Sequence, residues 1–237
     1  MRALVTGASS GIGAAVALAL AKDGYQLLIC GRDPGRLRAI AASLAGGGHE
    51  SIEADLTIAD QRDALVERAG VLNAVIHAAG KHSFSIPTRV DSRLREVFAI
   101  NVEAPIVLTA QLLAKDLIGP GAVIVFISSA AAIRGSRMTS LYAASKAALV
   151  GYARALAADL APQGIRVLTV LPGIVETPMG QRILSSAGSA SEELRKRHLL
   201  GLGQPKDVAS VIAFVCSPGA QWMTGTEIVV DGGFSIG

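Results

Sequence analysis

The sequence predicts an α/β fold, a single doubly wound domain in which helices flank a seven-stranded parallel sheet. Two patterns lead to this prediction. Short apolar runs alternate with longer amphipathic segments along the whole chain, and a glycine-rich turn follows the first run. Residues 123–127 are apolar throughout, as expected when helices cover both faces of a sheet. No Pro/Ser-rich linker or internal repeat divides the 237 residues, so residues 1–237 are expected to form one domain.

The strands are expected where apolar runs lie between turn or helix signals, at residues 3–5, 26–30, 51–53, 74–77, 122–127, 165–171 and 227–230. Helices are expected after Gly11 and after Pro34, with Asp33 as an N-cap, and over residues 59–69, 91–115, 140–160 and 206–216. Residues 178–203 have no clear period. They are interpreted either as a mobile insertion that forms a substrate lid or as a solvated surface helix.

Composition narrows the class of protein before any motif is considered. Hydrophobic residues make up 51% of the chain and charged residues 17%, which excludes a disordered or fibrous protein. The net charge of +3 is small and aromatic residues are only 4%, so no nucleic acid or membrane surface is expected as a partner. The apolar helical run 14–21 is too short to span a bilayer. Cys30 and Cys216 have no metal-ligand spacing, which predicts reduced thiols in a cytoplasmic protein and no metal site.

The turn after the first strand is the first candidate site. A helix that begins after such a turn presents free backbone N–H groups and the positive end of its dipole, which suits a pyrophosphate. The spacing differs from that of a P-loop, which needs a Gly-Lys-Ser/Thr ending. The turn therefore predicts a dinucleotide site. Its expected contacts are Gly7, Ser9, Ser10, Gly11, Ile12 and Gly13.

Four groups of residues stand out as motifs. They are a Gly-x-x-x-Gly-x-Gly turn, a Ser…Tyr-x-x-x-Lys group, a helix asparagine, and a Pro-Gly loop with a following threonine. Their residues are Gly7 to Gly13, Ser129 with Tyr142 and Lys146, Asn101, and Pro172-Gly173 with Thr177. Together they resemble the motifs of the short-chain dehydrogenase/reductase family. The resemblance covers essentially the whole chain, and within the family the chain is similar to the 3-oxoacyl-acyl-carrier-protein reductase branch. It implies a Rossmann fold, an NAD(P)-dependent reduction of a ketone to a secondary alcohol, and a homotetramer or dimer.

The spacing of Tyr142 and Lys146 predicts a proton-transfer pair. Four residues apart on one helix, their side chains share a face, and a neighbouring ammonium lowers the pKa of a tyrosine from its usual value near ~10. Tyr142 would be the acid in reduction. Ser129 follows the strongest strand, at the sheet edge where its hydroxyl can hold a substrate carbonyl. By resemblance, Lys146 also binds the nicotinamide ribose, Asn101 holds a proton-relaying water, and the Tyr-x-x-x-Lys spacing favours carbonyl over C=C reduction.

Arg32, at the end of the second strand, favours NADP(H), because an arginine there accommodates a 2′-phosphate. NAD(H) is the alternative, because Asp33 follows directly. The family's Asn-Ala-Ala-Gly reads His77-Ala78-Ala79-Gly80 here. We expect His77 to be structural, hydrogen-bonding between neighbouring strands, and no metal site with His82. By resemblance, the remaining cofactor contacts are Asp55, Leu56, Ala78, Ala79, Gly80, Tyr142, Lys146, Pro172, Gly173, Val175 and Thr177.

The substrate is expected to be a small carbonyl compound or alcohol, bound by residues 81–84, 130–141 and 178–203. Arg134, Arg137 and the basic cluster 195–198 are interpreted either as a docking site for an acidic carrier or phosphorylated thioester, or as solvated surface residues. The leading hypothesis is an NADPH-dependent reductase of a 3-oxoacyl thioester on acyl carrier protein or coenzyme A. The alternatives are an alcohol, sugar or cyclic-ketone dehydrogenase and a non-catalytic nicotinamide sensor. The apolar segment 228–234 is expected at a subunit interface.

Overall fold

A seven-stranded sheet, parallel throughout, forms the centre of the molecule. The computed structural model describes residues 1–84 and 91–237. The strand order is β3-β2-β1-β4-β5-β6-β7, so the direction of winding reverses between β1 and β4. The predicted fold class is confirmed. The strands are β1 (Arg2–Thr6), β2 (Gln26–Gly31), β3 (Glu50–Glu53), β4 (Leu72–His77), β5 (Ile118–Ile127), β6 (Arg166–Pro172) and β7 (Glu227–Val230).

Helices cover both faces of the sheet. Alternate strand residues point to opposite faces, so Val5 packs towards α1 and α9 while Leu4 packs towards α3, α5 and α6. Asp33 accepts a hydrogen bond from the Arg36 backbone at 2.9 Å, which confirms it as the N-cap of α2. The helices are α1 (Gly11–Lys22), α2 (Pro34–Ser43), α3 (Ala59–Ala69), α4 (Asp91–Phe98), α5 (Ala104–Ala114), α6 (Ser140–Leu160), α7 (Pro178–Ala187), α8 (Ser191–Arg197) and α9 (Pro205–Cys216).

Two predicted elements differ in the structure. The helix expected over residues 91–115 is interrupted by a π-helical turn, Ala99–Glu103, which separates α4 from α5 and contains the buried Asn101. The strand expected at residues 122–127 begins earlier, at Ile118, because residues 119–121, a Gly-Pro-Gly sequence typical of a turn, continue the strand instead. A register shift between Leu72 and Ala74 accommodates these residues.

One described helical stretch is long and apolar enough to cross a membrane, judged by length and composition alone. It is Arg93–Ala114, in which the π turn joins α4 to α5. Ala104, Leu108 and Leu112 are fully buried and pack in the core beneath the sheet. A core helix that supplies such an apolar face passes the same test, so the composition follows from the position of this helix.

His77, at the end of β4, is structural as predicted, but its hydrogen bond differs from the expected one. The ring stacks on Phe126 of the neighbouring strand, with centroids 4.8 Å apart, and its Nε2 lies 2.9 Å from Thr109 Oγ1 of α5. Because the Thr109 hydroxyl donates to the Pro105 carbonyl, Nε2–H is the donor to Thr109. Nδ1 is buried with no partner among the described residues. Burial lowers the pKa of His77 to about 3.

This buried ring predicts a loss of stability in mild acid. The unfolded chain binds a proton at a histidine near pH 6.5, whereas folded His77 resists protonation down to about pH 3. The contribution of His77 to the free energy of unfolding is therefore fully present above pH 6.5. It falls as the pH drops towards 3, by about 2 kcal/mol between pH 7.5 and 5. Urea unfolding at both pH values measures it. His77→Asn, which restores the residue of the similar family, should reduce the loss by that amount, and an unaltered pH dependence would contradict this account.

Candidate active site

The carboxyl ends of β1, β4, β5 and β6 open onto one cavity of about 1470 Å³. This is the edge at which parallel α/β sheets bind ligands. All predicted site residues line the cavity except Asn101, which lies in the π turn behind it. Among the described residues, no three His, Cys, Asp or Glu side chains group closely enough to hold a metal ion.

The glycine-rich turn after β1 packs closely against neighbouring backbone because two of its residues have no side chain. A Cβ on Gly7, at φ +67°, would lie 2.7 Å from the Ala79 backbone nitrogen. A Cβ on Gly13 would lie 2.4 Å from the Gly7 carbonyl oxygen. Ser10 makes no side-chain hydrogen bond as the N-cap of α1, so the N–H groups of the first turn remain available. This cradle fits the pyrophosphate of a dinucleotide.

Thr6 is a site residue that the sequence reasoning missed. Its hydroxyl oxygen accepts hydrogen bonds from the backbone N–H groups of Ala78 (3.1 Å) and Ala79 (3.2 Å) and itself faces the Ile76 carbonyl. One side chain thus joins the end of β1 to the end of β4. The position of a threonine as the last residue of the first strand, just before the glycine turn, was the only available signal.

Replacing Thr6 by valine should weaken this junction. The change preserves shape but leaves two partly buried N–H groups without an acceptor, at a cost of about 1–3 kcal/mol in unfolding free energy. The loop that carries Ala78 and Ala79 would lose its position, so KM for the dinucleotide should rise as well. Thr6→Ser, which keeps the hydroxyl, is the matched control. Equal stability and equal KM in the valine and serine variants would refute this role.

Tyr142 and Lys146 lie one turn apart on α6, and both are buried, at 8% and 5% exposure. The Lys146 ammonium donates to the Ile127 carbonyl at 2.8 Å, and its Nζ is 5.9 Å from the centre of the Tyr142 ring. The Ser128 hydroxyl donates to the Lys146 carbonyl at 2.8 Å, which holds α6 against the end of β5. The pair therefore faces the cavity on a helix fixed to the sheet.

The expected effect of the lysine on the tyrosine is wrong in this structure. Burial raises the pKa of Tyr142, and a hydrogen bond with the Ser129 hydroxyl offsets this only in part. Lys146 does not lower it, because the ammonium is directed to the Ile127 carbonyl and burial lowers its own pKa to about 8. Tyr142 is therefore protonated at neutral pH, and a protonated phenol bonded to Ser129 is placed to act as an acid.

Asn101 joins the substrate side of the cavity to α6. Its Oδ1 accepts from the Lys81 backbone N–H at 2.8 Å, and its Nδ2 donates to the Lys81 carbonyl and the Ser145 hydroxyl, both at 3.0 Å. Ser145 in turn donates to the Tyr142 carbonyl at 2.7 Å. Sequence reasoning gave Asn101 the role of holding a water and missed Ser145. The structure shows that the amide positions the segment that follows β4.

The ends of β2 and β3 supply the acidic and basic groups at the adenosine side of the cavity. Arg32 is 76% exposed and lies 3.8 Å from the Asp55 carboxylate. Burial alone would raise the pKa of Asp55, but hydrogen bonds from Thr57 and the Arg32 charge outweigh it and keep the pKa below its usual value. Asp33, the competitor of Arg32 in the sequence, is occupied as a helix cap and lies 3.2 Å from Arg36. Arg32 is therefore an exposed cation beside this end of the cavity, as is Arg36, which is paired with Asp33.

Most of the segment 178–203, which the sequence leaves open between a substrate lid and a surface helix, is helical in the structure. Thr177 caps α7 by accepting from the Gly180 N–H at 3.0 Å, and Leu184 of α7 is buried. Downstream of α8, His198 accepts from the Ile174 N–H at 2.9 Å and is buried. Its place in the predicted basic cluster was wrong, because it closes the base of this segment.

Arg134 is also engaged within the protein rather than free for a carrier. It donates to the Phe234 carbonyl, and its guanidinium carbon lies 5.2 Å from the centre of the Phe234 ring. The His198 ring stacks on the same Phe234 ring, with the two centroids 4.6 Å apart. The C-terminal segment therefore ties the loop after β5 to the base of the α7–α8 segment. Arg137 remains exposed at the cavity.

The fold and site together define an NAD(P)-dependent oxidoreductase. Residues 7–235 match the family model described as Enoyl-(Acyl carrier protein) reductase. The chain belongs to the short-chain dehydrogenase/reductase family, as the sequence motifs predicted. Its relatives include diverse dehydrogenases and reductases, so a 3-oxoacyl-acyl-carrier-protein branch is not distinguished by similarity.

Three relatives illustrate this range. An uncharacterized oxidoreductase of Methylorubrum extorquens is 37% identical over 98% of this chain and 96% of its own length. The 2-keto-3-deoxy-L-fuconate dehydrogenase of Xanthomonas campestris is 31% identical over 99% of this chain and 80% of its own. The structure of a variant actinorhodin polyketide ketoreductase with NADPH aligns with a TM-score of 0.90, at 30% identity, over 100% of this chain and 97% of that one.

Proposed function

We propose that this protein is an NADPH-dependent ketoreductase that reduces the ketone of a 3-oxoacyl thioester, carried on acyl carrier protein or coenzyme A, to a secondary alcohol. The observation that supports it most is the convergence of Ser129, Tyr142 and Lys146 on the same cavity as the glycine cradle. The three-residue interval between Tyr142 and Lys146 favours carbonyl over C=C reduction, despite the enoyl reductase description of the family model. The structure of the NADPH-bound ketoreductase relative supports the same reaction class.

The protein groups have separate tasks in this reaction. The turn from Gly7 to Gly13 would hold the pyrophosphate of the dinucleotide, whose nicotinamide would supply the hydride for the carbonyl carbon. Ser129 and Tyr142 hydrogen-bond the carbonyl oxygen, and the protonated Tyr142 transfers its proton to that oxygen. Lys146, one turn along α6 from Tyr142, would bind the nicotinamide ribose through the ammonium that the Ile127 carbonyl holds in place.

Tyr142→Phe should abolish most of this activity. The substitution keeps the ring and removes only the proton donor, so kcat should fall about 100- to 10,000-fold. Dinucleotide binding, followed by nicotinamide fluorescence, should persist and shows that the variant is folded. Carbonyl reduction at the wild-type rate by Tyr142→Phe would exclude this mechanism, whereas a wild-type protein that binds the dinucleotide but reduces no carbonyl compound would favour the non-catalytic sensor.

The preference for NADPH rests on Arg32, whose competitor Asp33 caps a helix. Initial rates with acetoacetyl-coenzyme A should be dominated by NADPH over NADH. Arg32→Ala removes a charge-assisted contact to the 2′-phosphate and should lower the NADPH:NADH ratio of kcat/KM about 10- to 100-fold. The control is Arg38→Ala, because Arg38 is an exposed arginine of α2 that does not line the cavity. An equal ratio in the Arg32 and Arg38 variants would refute the assignment.

A second candidate is a dehydrogenase of an acidic sugar. Arg95, Arg137 and Arg182 come from three different elements, are exposed, and line the substrate side of the cavity. Such a rim suits a carboxylate as well as the phosphates of a coenzyme A thioester. One relative carries the name 2-keto-3-deoxy-L-fuconate dehydrogenase. Turnover of a 2-keto-3-deoxy sugar acid, with none of acetoacetyl-coenzyme A, would favour this candidate.

We further propose that the protein acts in the cytoplasm as a homotetramer or dimer, on small molecules and without nucleic acid or membrane partners. Support for assembly comes from the β7 edge of the sheet, where Val229 is 43% exposed, and from the fully exposed Trp222 nearby in the chain. Apolar side chains at an open sheet edge are typical of a subunit interface.

A further inference from the structure

We propose that His82 is a specificity-determining residue whose imidazole hydrogen-bonds a second carbonyl oxygen of the substrate, next to the ketone that is reduced. The substrate class would then be a 1,3-dicarbonyl compound, to which 3-oxoacyl thioesters belong. This inference rests on the proposed function and adds a residue to it, because no motif of the sequence points to position 82.

The backbone before His82 is fixed to the same helix as Tyr142. The Asn101 side chain makes two hydrogen bonds to the Lys81 backbone. It accepts from the Lys81 N–H at 2.8 Å and donates to the Lys81 carbonyl at 3.0 Å. The same amide donates to Ser145, which donates to the Tyr142 carbonyl. His82 and Tyr142 are thus held by one chain of buried hydrogen bonds, and such a network fixes the relative position of its members.

The ring of His82 lies directly against the ring of Tyr142. Their centroids are 4.6 Å apart, and Phe84 packs edge-on against the His82 ring with its centroid also at 4.6 Å. All three residues line the cavity. A ligand whose carbonyl contacts the Tyr142 hydroxyl therefore has His82 beside it.

The nitrogens of His82 are available to such a ligand. Among the residues that the structure describes, neither ring nitrogen has a hydrogen-bond partner. The Lys81 side chain points elsewhere, since its ammonium lies 2.6 Å from the Glu96 carboxylate. Burial lowers the pKa of His82 to about 4, so the ring is neutral at pH 7 and presents one donor and one acceptor. A half-buried polar group without a protein partner gains most from a ligand that supplies one.

A neutral hydrogen-bond donor beside the Tyr142 hydroxyl selects substrates by the position of their carbonyl oxygens and not by their charge. In a 1,3-dicarbonyl the two oxygens lie on neighbouring carbonyls separated by one carbon, so they can reach two adjacent rings at once. Tyr142 would bond the oxygen that is reduced, and the imidazole N–H the one that is not. A simple ketone of equal length leaves the imidazole without a partner and binds less well in the reacting position.

The test compares two ketones of equal chain length, ethyl acetoacetate and heptan-2-one, as substrates of the full-length protein with NADPH. The wild type should prefer ethyl acetoacetate in kcat/KM. His82→Phe keeps the ring contact with Tyr142 but lacks the nitrogens, and should lower the ratio of the two kcat/KM values about 10-fold, mainly through KM for the ester. His82→Gln, which retains a donor, should recover most of the ratio.

Two further variants make the result independent of folding. His49→Phe, the same substitution at a histidine that does not line the cavity, should keep the wild-type ratio. His82→Met repeats the loss with a flexible apolar side chain, and nicotinamide fluorescence shows which variants bind NADPH. An equal fall for both ketones in His82→Phe would mean that His82 only positions Tyr142, and would overturn the inference while the proposed function stands. Turnover of neither ketone or acetoacetyl-coenzyme A by the wild type would overturn both.

Discussion

The close crossing of two loops, at the point where the sheet reverses its winding, is the constraint on which the rest of the site depends. Gly7 and the Ala78–Ala79 peptide are so near each other that no side chain fits between them. Thr6 holds this crossing by accepting from both of those backbone N–H groups. Because β1 and β4 are paired in parallel register up to Thr6 and His77, the crossing has little freedom to shift. The dinucleotide cradle and the first residues of the substrate side therefore have one common origin.

Polar contacts, rather than apolar packing, fix the reacting groups relative to that crossing. The chain leaves β4, passes Gly80, and is held at Lys81 by the Asn101 amide. Asn101 lies in the middle of the π turn, a feature often found at functional sites, and its buried side chain bonds both Lys81 and Ser145. On the other side, Ser128 and Ile127 fix Lys146 from the end of β5.

The features that could be predicted from the sequence depend on local residue patterns. The features that could not be predicted depend on contacts between residues distant in the chain. Apolar periodicity located every strand, and the spacing of Ser129, Tyr142 and Lys146 located the candidate catalytic groups, because both follow from repeat geometry alone. The π turn, the hydroxyl of Thr6 and the partners of Arg134 and His198 depend on residues distant in the chain. The pKa of Tyr142 was predicted in the wrong direction for the same reason. Helical spacing places a lysine near a tyrosine. It does not determine which acceptor the ammonium bonds or how far the two groups are desolvated.

Differences in burial separate neutral groups deep in the cavity from charged groups at its rim. Deep in the cavity, desolvation raises the pKa of Tyr142 and lowers the pKa of His82, so the phenol and the imidazole are both neutral at pH 7 where the carbonyl reacts. At the rim, exposed arginines keep their charge in contact with water, where holding it costs little. A substrate with an uncharged reacting end and an anionic remote end fits this order, because neither end meets an unfavourable environment. Reversing it would place an anion beside a phenol that must become a phenolate, which opposes the proton transfer. The polarity of the cavity thus constrains the direction in which a substrate enters, independently of its identity.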